Sequence, residues 1–74
     1  MNTEEIQNKL GKAIKELRTS KNISQEELAF RCELHRTYIG SVERGERNIS
    51  IQNIVIISKV FGIKASELLQ KAGL

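Results

Sequence analysis

Apolar residues in this chain recur at helical spacing almost from end to end. Ile6, Leu10, Ala13, Ile14 and Leu17 fall three and four residues apart, which puts them on one face of a helix expected from about Glu4 to Lys21. Lys9, Lys12, Lys15, Glu16 and Arg18 take its wet side. Ser24 followed by Glu27 has the spacing of a capping box, in which the serine oxygen and the carboxylate satisfy free N–H groups at a helix start. The helix it opens carries Leu28, Ala29 and Cys32 inward, and Glu33-Leu34-His35 breaks the period. A third helix is expected from about Arg36 to Arg44, with Gly45 ending it. Asn48-Ile49-Ser50 reads as a loop whose serine caps a fourth helix, running to about Phe61 and stopped by Gly62. A last short helix, about Ala65 to Lys71, returns Leu68 and Leu69 to the core. Strand-like alternation is absent, and there is neither proline nor a linker. The expectation is an all-α fold of five helices.

Length sharpens this. Seventy-four residues make one domain, and a chain of that size buries only about 60% of its unfolded surface. Pairing with a second copy is a natural source of further stability. The fourth helix points the same way: Ile54 to Ile57 span about 300° of the helical wheel at 100° per residue. A single core stripe needs little more than about 100°. The surplus apolar surface calls for a partner, and Ile56, Val60, Phe61 and Ile63 are the expected dimer contacts within a dimerisation region at about 50–72.

Charge and chemistry narrow the function. Lys and Arg total 12 against nine Asp and Glu, a net charge of +3. Residues 1–35 carry six basic and six acidic side chains, residues 36–74 six basic and three acidic. The excess therefore sits in the second half, where it suits a nucleic-acid partner. Cys32 is the only cysteine, so no internal disulfide forms, as expected in a reducing cytosol. It lies on an apolar stripe and reads as core. One cysteine and one histidine cannot build a zinc site, and no metal or cofactor is expected. Cys32 and His35 lack a third group to form a nucleophilic constellation, and the chain offers no pocket, so an enzyme is not expected. The start "MNTEEIQNKL" has no apolar signal segment and no run approaches a membrane span. The expectation is a soluble cytoplasmic protein with no membrane partner.

The stretch "HRTYIGSVERGERN", residues 35–48, is the most demanding. On the wheel Arg36, Thr37, Gly40, Ser41 and Arg44 share one side, within about 140°. Ile39 and Val42 anchor the other, and Tyr38 lies on the flank. The shared side is polar or small, and Gly40 costs about 1 kcal/mol of helix propensity against alanine. Small residues allow close approach to another surface. An arginine at a helix start can donate two parallel hydrogen bonds to guanine O6 and N7, and a threonine can meet a thymine methyl.

Residues 24–45, "SQEELAFRCELHRTYIGSVERG", resemble the helix-turn-helix of the phage repressor and Cro-like (XRE-type) family, with Ala29 where the two helices touch. "HRTYIGSVERGERN" is closer still to the controller proteins of restriction–modification systems. The resemblance implies a five-helix repressor-like domain that binds double-stranded DNA at a two-fold symmetric operator as a homodimer, with two dimers on the DNA. It implies that Arg36, Thr37 and Ser41 read base edges. It places Tyr38 and Arg44 at the rim, Gln25 on a phosphate at a helix N-terminus, and Arg47 and Asn48 on the backbone. In activating members an acidic residue at the position of Glu26 touches the RNA polymerase sigma factor. Glu33 departs from the glycine common at that turn, where backbone with φ > 0 is favoured. The function implied is a transcriptional regulator that activates, and at higher occupancy represses, its own operon to time endonuclease expression. A phage-type repressor or an antitoxin is the alternative, although only "KAGL" follows the last helix. A helical protein–protein adaptor without DNA binding is the reading from another class.

Overall fold

Three polar side chains start three of the five helices. Asn2 Oδ1 accepts from the Glu5 N–H at 2.8 Å, Ser24 Oγ from Glu27 at 3.0 Å and Ser50 Oγ from Asn53 at 3.2 Å. Each satisfies a donor that the first turn leaves without a partner. The computed structural model describes residues 1–74 and contains α1 (Thr3–Ser20), α2 (Gln25–Cys32), α3 (Arg36–Glu43), α4 (Ile51–Val60) and α5 (Ala65–Lys71). No strand is present. The all-α reading and the five elements agree with the pattern of the chain. Ends differ by a residue: α1 starts at Thr3, α3 closes at Glu43 and α4 at Val60.

All five helices end the same way. Asn22, Glu33, Gly45, Gly62 and Gly73 take positive φ just past the five C-termini. The N–H of the next residue then reaches back five positions: Ile23 to Arg18, Leu34 to Ala29, Glu46 to Ser41, Ile63 to Ser58 and Leu74 to Leu69. This closure satisfies carbonyls that a helix end would otherwise leave open. At Glu33 the left-handed backbone, φ 57° and ψ 39°, is held by a residue with a Cβ, so the turn between α2 and α3 carries local strain.

Every helix contributes to the core: Leu10, Ala13 and Ile14 from α1, Leu28, Ala29 and Cys32 from α2, Ile39 and Val42 from α3, Ile54 and Ile57 from α4, and Leu68 from α5. α1 packs on α3 and α5, α2 on α3 and α4, and α4 on α5. α2 and α3 thus stand on a base made by the other three. No helix is long and apolar enough to cross a membrane.

Two expectations from periodicity need correction. Ile6 begins the apolar stripe of α1 but is 38% exposed and lies outside the core. Phe61, expected at a dimer contact, is buried in the core of its own protomer. It lies seven residues past Ile54, so it falls about 20° away on the wheel and joins the inward stripe. Ile56 and Ile51 stay exposed, while Val60 and Ile63 are half-buried.

Gly11 is where α1 meets α3 most closely. A Cβ built there would lie 2.2 Å from the Val42 carbonyl oxygen and 2.9 Å from that of Glu43. Both atoms are backbone and cannot step aside alone. In an exposed helix, Gly→Ala gains about 1 kcal/mol. Gly11→Ala should instead lose about 1–3 kcal/mol, as overpacking does. Urea denaturation reads the sign, and a stabilised variant would contradict the close approach.

Candidate nucleic-acid interface

The junction of α1, α2 and α3 is closed by a charged cluster, not by hydrocarbon. Glu43, at the last turn of α3, is buried. Arg18 of α1 donates to it twice, Nε to Oε2 at 2.6 Å and Nη2 to Oε1 at 3.0 Å. The same guanidinium donates from Nη1 to the Ile23 carbonyl at 2.9 Å, and Gln25 Nε2 donates to Glu43 Oε1 at 2.9 Å. The hydrogen bond to Glu43 raises the Arg18 pKa against the opposing effect of burial. One carboxylate therefore ties the last turn of α3 to α1 and to the start of α2. No buried side-chain donor or acceptor is left without a partner, as a charge taken out of water requires.

This revises two readings. Arg18 belongs to the wet side of α1 by periodicity, yet its side chain is only 11% exposed. Gln25, expected on a phosphate, has its amide nitrogen committed to Glu43. No spacing in the sequence marks Arg18 and Glu43 as partners, since they are 25 residues apart.

The outer face of α3 is open where sequence places it. Arg36 and Thr37 are exposed in its first turn, and Arg44, Arg47 and Asn48 are exposed at and beyond its end. His35 precedes the helix without making a side-chain cap. Ser41 is half-buried, and its hydroxyl donates to the Tyr38 carbonyl at 2.8 Å, which leaves the oxygen lone pairs as its outward capability. Gly40 is buried, contrary to its expected place on the approaching surface. A Cβ there would meet Arg44 Nη1 at 3.2 Å and Gln25 Oε1 at 3.5 Å. The space glycine leaves is filled by the protein's own side chains.

Tyr38 is a bridge. Its hydroxyl accepts from Asn53 Nδ2 of α4 at 3.0 Å, and the Arg47 guanidinium carbon lies 5.4 Å from its ring centroid. That distance gives a cation–π contact. The loop carrying Arg47 is also held from α1. The Gln7 amide, oriented so that both its atoms are satisfied, donates to the Gly45 carbonyl at 3.2 Å and accepts from the Asn48 N–H at 3.1 Å. A side chain at Gly45 would collide with Asn8. Gln7 and Asn53 carried no signal in the sequence, because polar residues near a helix start look alike until packing brings a partner.

Arg36 and Arg44 each meet a carboxylate. Arg36 Nη1 lies 2.9 Å from Glu26 Oε1 and Arg44 Nε 3.1 Å from Glu46 Oε2, both pairs well exposed. Cys32 is buried and unpaired, and burial pushes its thiol up to about 11, so it stays protonated and inert at neutral pH. No three His, Cys, Asp or Glu side chains gather to hold a metal ion.

Residues 14–68 match the family model described as Helix-turn-helix. The control protein C.BamHI of Bacillus amyloliquefaciens is 50% identical over 68 residues, which cover 90% of this chain and 84% of that protein. The control protein C.SmaI of Serratia marcescens is 41% identical over 70 residues, 95% of this chain and 83% of the relative. The restriction–modification controller protein C.AhdI from Aeromonas hydrophila superposes with a TM-score of 0.81 at 47% identity, over 84% of this chain and 94% of that one. C.Esp1396I, solved as a tetramer in complex with its natural 35 base-pair operator, gives a TM-score of 0.79 at 34% identity, over 90% and 92%.

The ion pair at the three-helix junction has a measurable signature. Glu43→Ala leaves the half-buried Arg18 without its partner and should cost about 1–3 kcal/mol. The double change Arg18→Met, Glu43→Leu should recover most of that loss, because an apolar pair of similar volume removes both desolvation costs. Denaturant unfolding of the three proteins checks both statements. A single variant within about 1 kcal/mol of the parent, the typical worth of an exposed pair, would show that the junction does not depend on the pair.

Proposed function

The chain belongs to the Helix-turn-helix family and, within it, to the restriction–modification controller proteins, and from that membership we propose a sequence-specific, homodimeric DNA-binding regulator of its own operon. One observation carries the reading. Arg36 and Thr37 stand exposed in the first turn of α3, on a helix whose other side is seated in the core by Ile39 and Val42. A recognition helix enters the major groove with these N-terminal residues toward the base edges.

Roles follow from the chemistry of each position. Arg36 offers the two parallel donors that guanine O6 and N7 accept, and Thr37 a methyl and a hydroxyl. Ser41, with its proton turned inward, serves as an acceptor for a base or a water. Arg47 and Asn48 meet the phosphate backbone. There they set register without carrying sequence. Tyr38 and Arg44 stand at the rim of the groove, within reach of backbone or bases. Gln25 contributes to a phosphate site through its backbone N–H at the start of α2, its side chain being used within the fold.

The dimer is proposed through α4 and α5. Ile56 is exposed, with Val60 and Ile63 half-buried beside it and Ile51 at 60% exposure where α4 begins. A protomer with extents of 31 × 23 × 22 Å suits a two-fold pair whose recognition helices lie one DNA turn, about 34 Å, apart. A second dimer on the same operator supplies the higher occupancy. At low occupancy the regulator activates, with Glu26 meeting RNA polymerase. At high occupancy it represses, and endonuclease expression is timed by the interval between.

Arg36→Ala should cost about 1–3 kcal/mol on the specific duplex and relax its sequence preference, whereas Arg47→Ala should weaken all duplexes alike. Binding titrations on specific and scrambled duplexes read both effects, and the DNA-binding reading fails if neither variant alters affinity for any duplex. Sedimentation at micromolar protein should return a dimer; a stable monomer would remove the α4 interface. A promoter fusion titrated with the protein should rise and then fall, and a monotonic response would refute the two-phase regulation.

A further inference from the structure

Two arginines on the DNA-facing side of this protein are not free charges. Arg36 is joined to Glu26 and Arg44 to Glu46, at 2.9 and 3.1 Å, with all four side chains 58–72% exposed. Pairs this open contribute little to folding. Their stabilising effect does not account for two carboxylates on a surface that meets a polyanion. Arg47, beside them, has no carboxylate partner and stacks on Tyr38 instead.

We propose that Glu26 and Glu46 are specificity-determining residues of the DNA interface, holding the Arg36 and Arg44 guanidinium groups so that they serve base edges and not phosphates. The inference rests on the reading of α3 as the recognition helix. A phosphate binds an arginine chiefly through its full charge, and that attraction is the same on every sequence. A base edge binds it through directed donors. A guanidinium carries five N–H donors; Glu26 takes one at Nη1 and Glu46 one at Nε. The remaining donors stay available to a base. The charge is compensated, so sliding onto a phosphate means either leaving the carboxylate or bringing it against a second anion.

Position reinforces the division. Glu26 comes from α2 and Arg36 from α3, so the pair spans the two helices of the motif and restricts the arginine to conformers over the first turn of α3. Glu46 does the same for Arg44 from the loop. Arg47 keeps its whole charge for the backbone. Sequence-independent attraction is thereby concentrated in one arginine, and sequence reading in the two that are paired.

The test uses the full chain with two duplexes: one selected by the parent protein from a randomised pool, and a scrambled duplex of the same composition. Glu26→Gln and Glu46→Gln are compared with Glu33→Gln, which makes the same charge change where no guanidinium is paired. At 0.1 M salt one further phosphate contact is worth about eightfold in affinity. Glu26→Gln and Glu46→Gln should each tighten binding to the scrambled duplex about three- to eightfold and steepen its salt slope by about 0.9. The selected duplex should gain less, so the ratio between the two falls. Glu33→Gln should move both duplexes together. An unchanged ratio in Glu26→Gln and Glu46→Gln, or an equal fall in Glu33→Gln, overturns the carboxylate role. Arg36→Ala separates the two levels: if it weakens both duplexes equally, base reading by Arg36 is itself wrong. If it abolishes discrimination while Glu26→Gln leaves the ratio intact, only the role of Glu26 is wrong.

Discussion

Glu43 carries a negative charge into the junction of three helices, and the placement of α3 and its exposed face depends on its being satisfied there. Its two oxygens receive Arg18 from α1 and Gln25 from α2, while its own backbone belongs to the last turn of α3. Hydrocarbon packing is tolerant of small slips, because dispersion and area burial have no direction. A carboxylate held by three donors is not tolerant, since displacing any of them leaves a buried charge short of a partner. The cluster therefore sets how α3 lies against α1 and α2 more narrowly than Ile39 and Val42 could alone. Gly11 permits the approach: with a Cβ there, α1 could not come close enough for Arg18 to reach.

Around that junction the surface is organised by graded restraint. Arg47 is limited by an aromatic face and a hydrogen-bonded tyrosine, and its loop by Gln7 from the far side. Arg36 and Arg44 are limited by carboxylates. Side chains with four rotatable bonds lose considerable entropy when a ligand orders them. Partners in the free protein reduce that loss, and they also determine what kind of ligand group each arginine prefers. The elements that hold these residues are distributed over α1, α2 and α4, so the interface depends on the whole fold and not on the helix-turn-helix alone.

Much of this was legible in the chain. Capping serines, the breaks at Gly45 and Gly62, and the three-and-four spacing of Leu10, Ala13, Ile14 and Leu17 are local features, and local features write themselves into sequence. The exposed first turn of α3 was legible for the same reason: a helix wheel needs only residue order. What misled was sidedness at the margins. Phe61 lies in an apolar run that circles α4, and periodicity cannot say which part of a full circle a neighbour covers. Gly40 read as a gap left for DNA, although Gln25 and Arg44 fill it.

By itself, then, the order of residues determined five helices, the caps at Ser24 and Ser50, the stops at Gly45 and Gly62, the polar face of α3 and the kind of partner such a face fits, because each depends on interactions within about five positions. The tertiary structure alone decided that Arg18 turns half-buried into the helix junction, that Gln25 serves Glu43, that Tyr38 joins Asn53 to Arg47, and that Arg36 and Arg44 carry carboxylate partners. Those partners are chosen among chemically similar side chains by proximity in space. Proximity between residues as far apart as Arg18 and Glu43 exists only once the helices have packed.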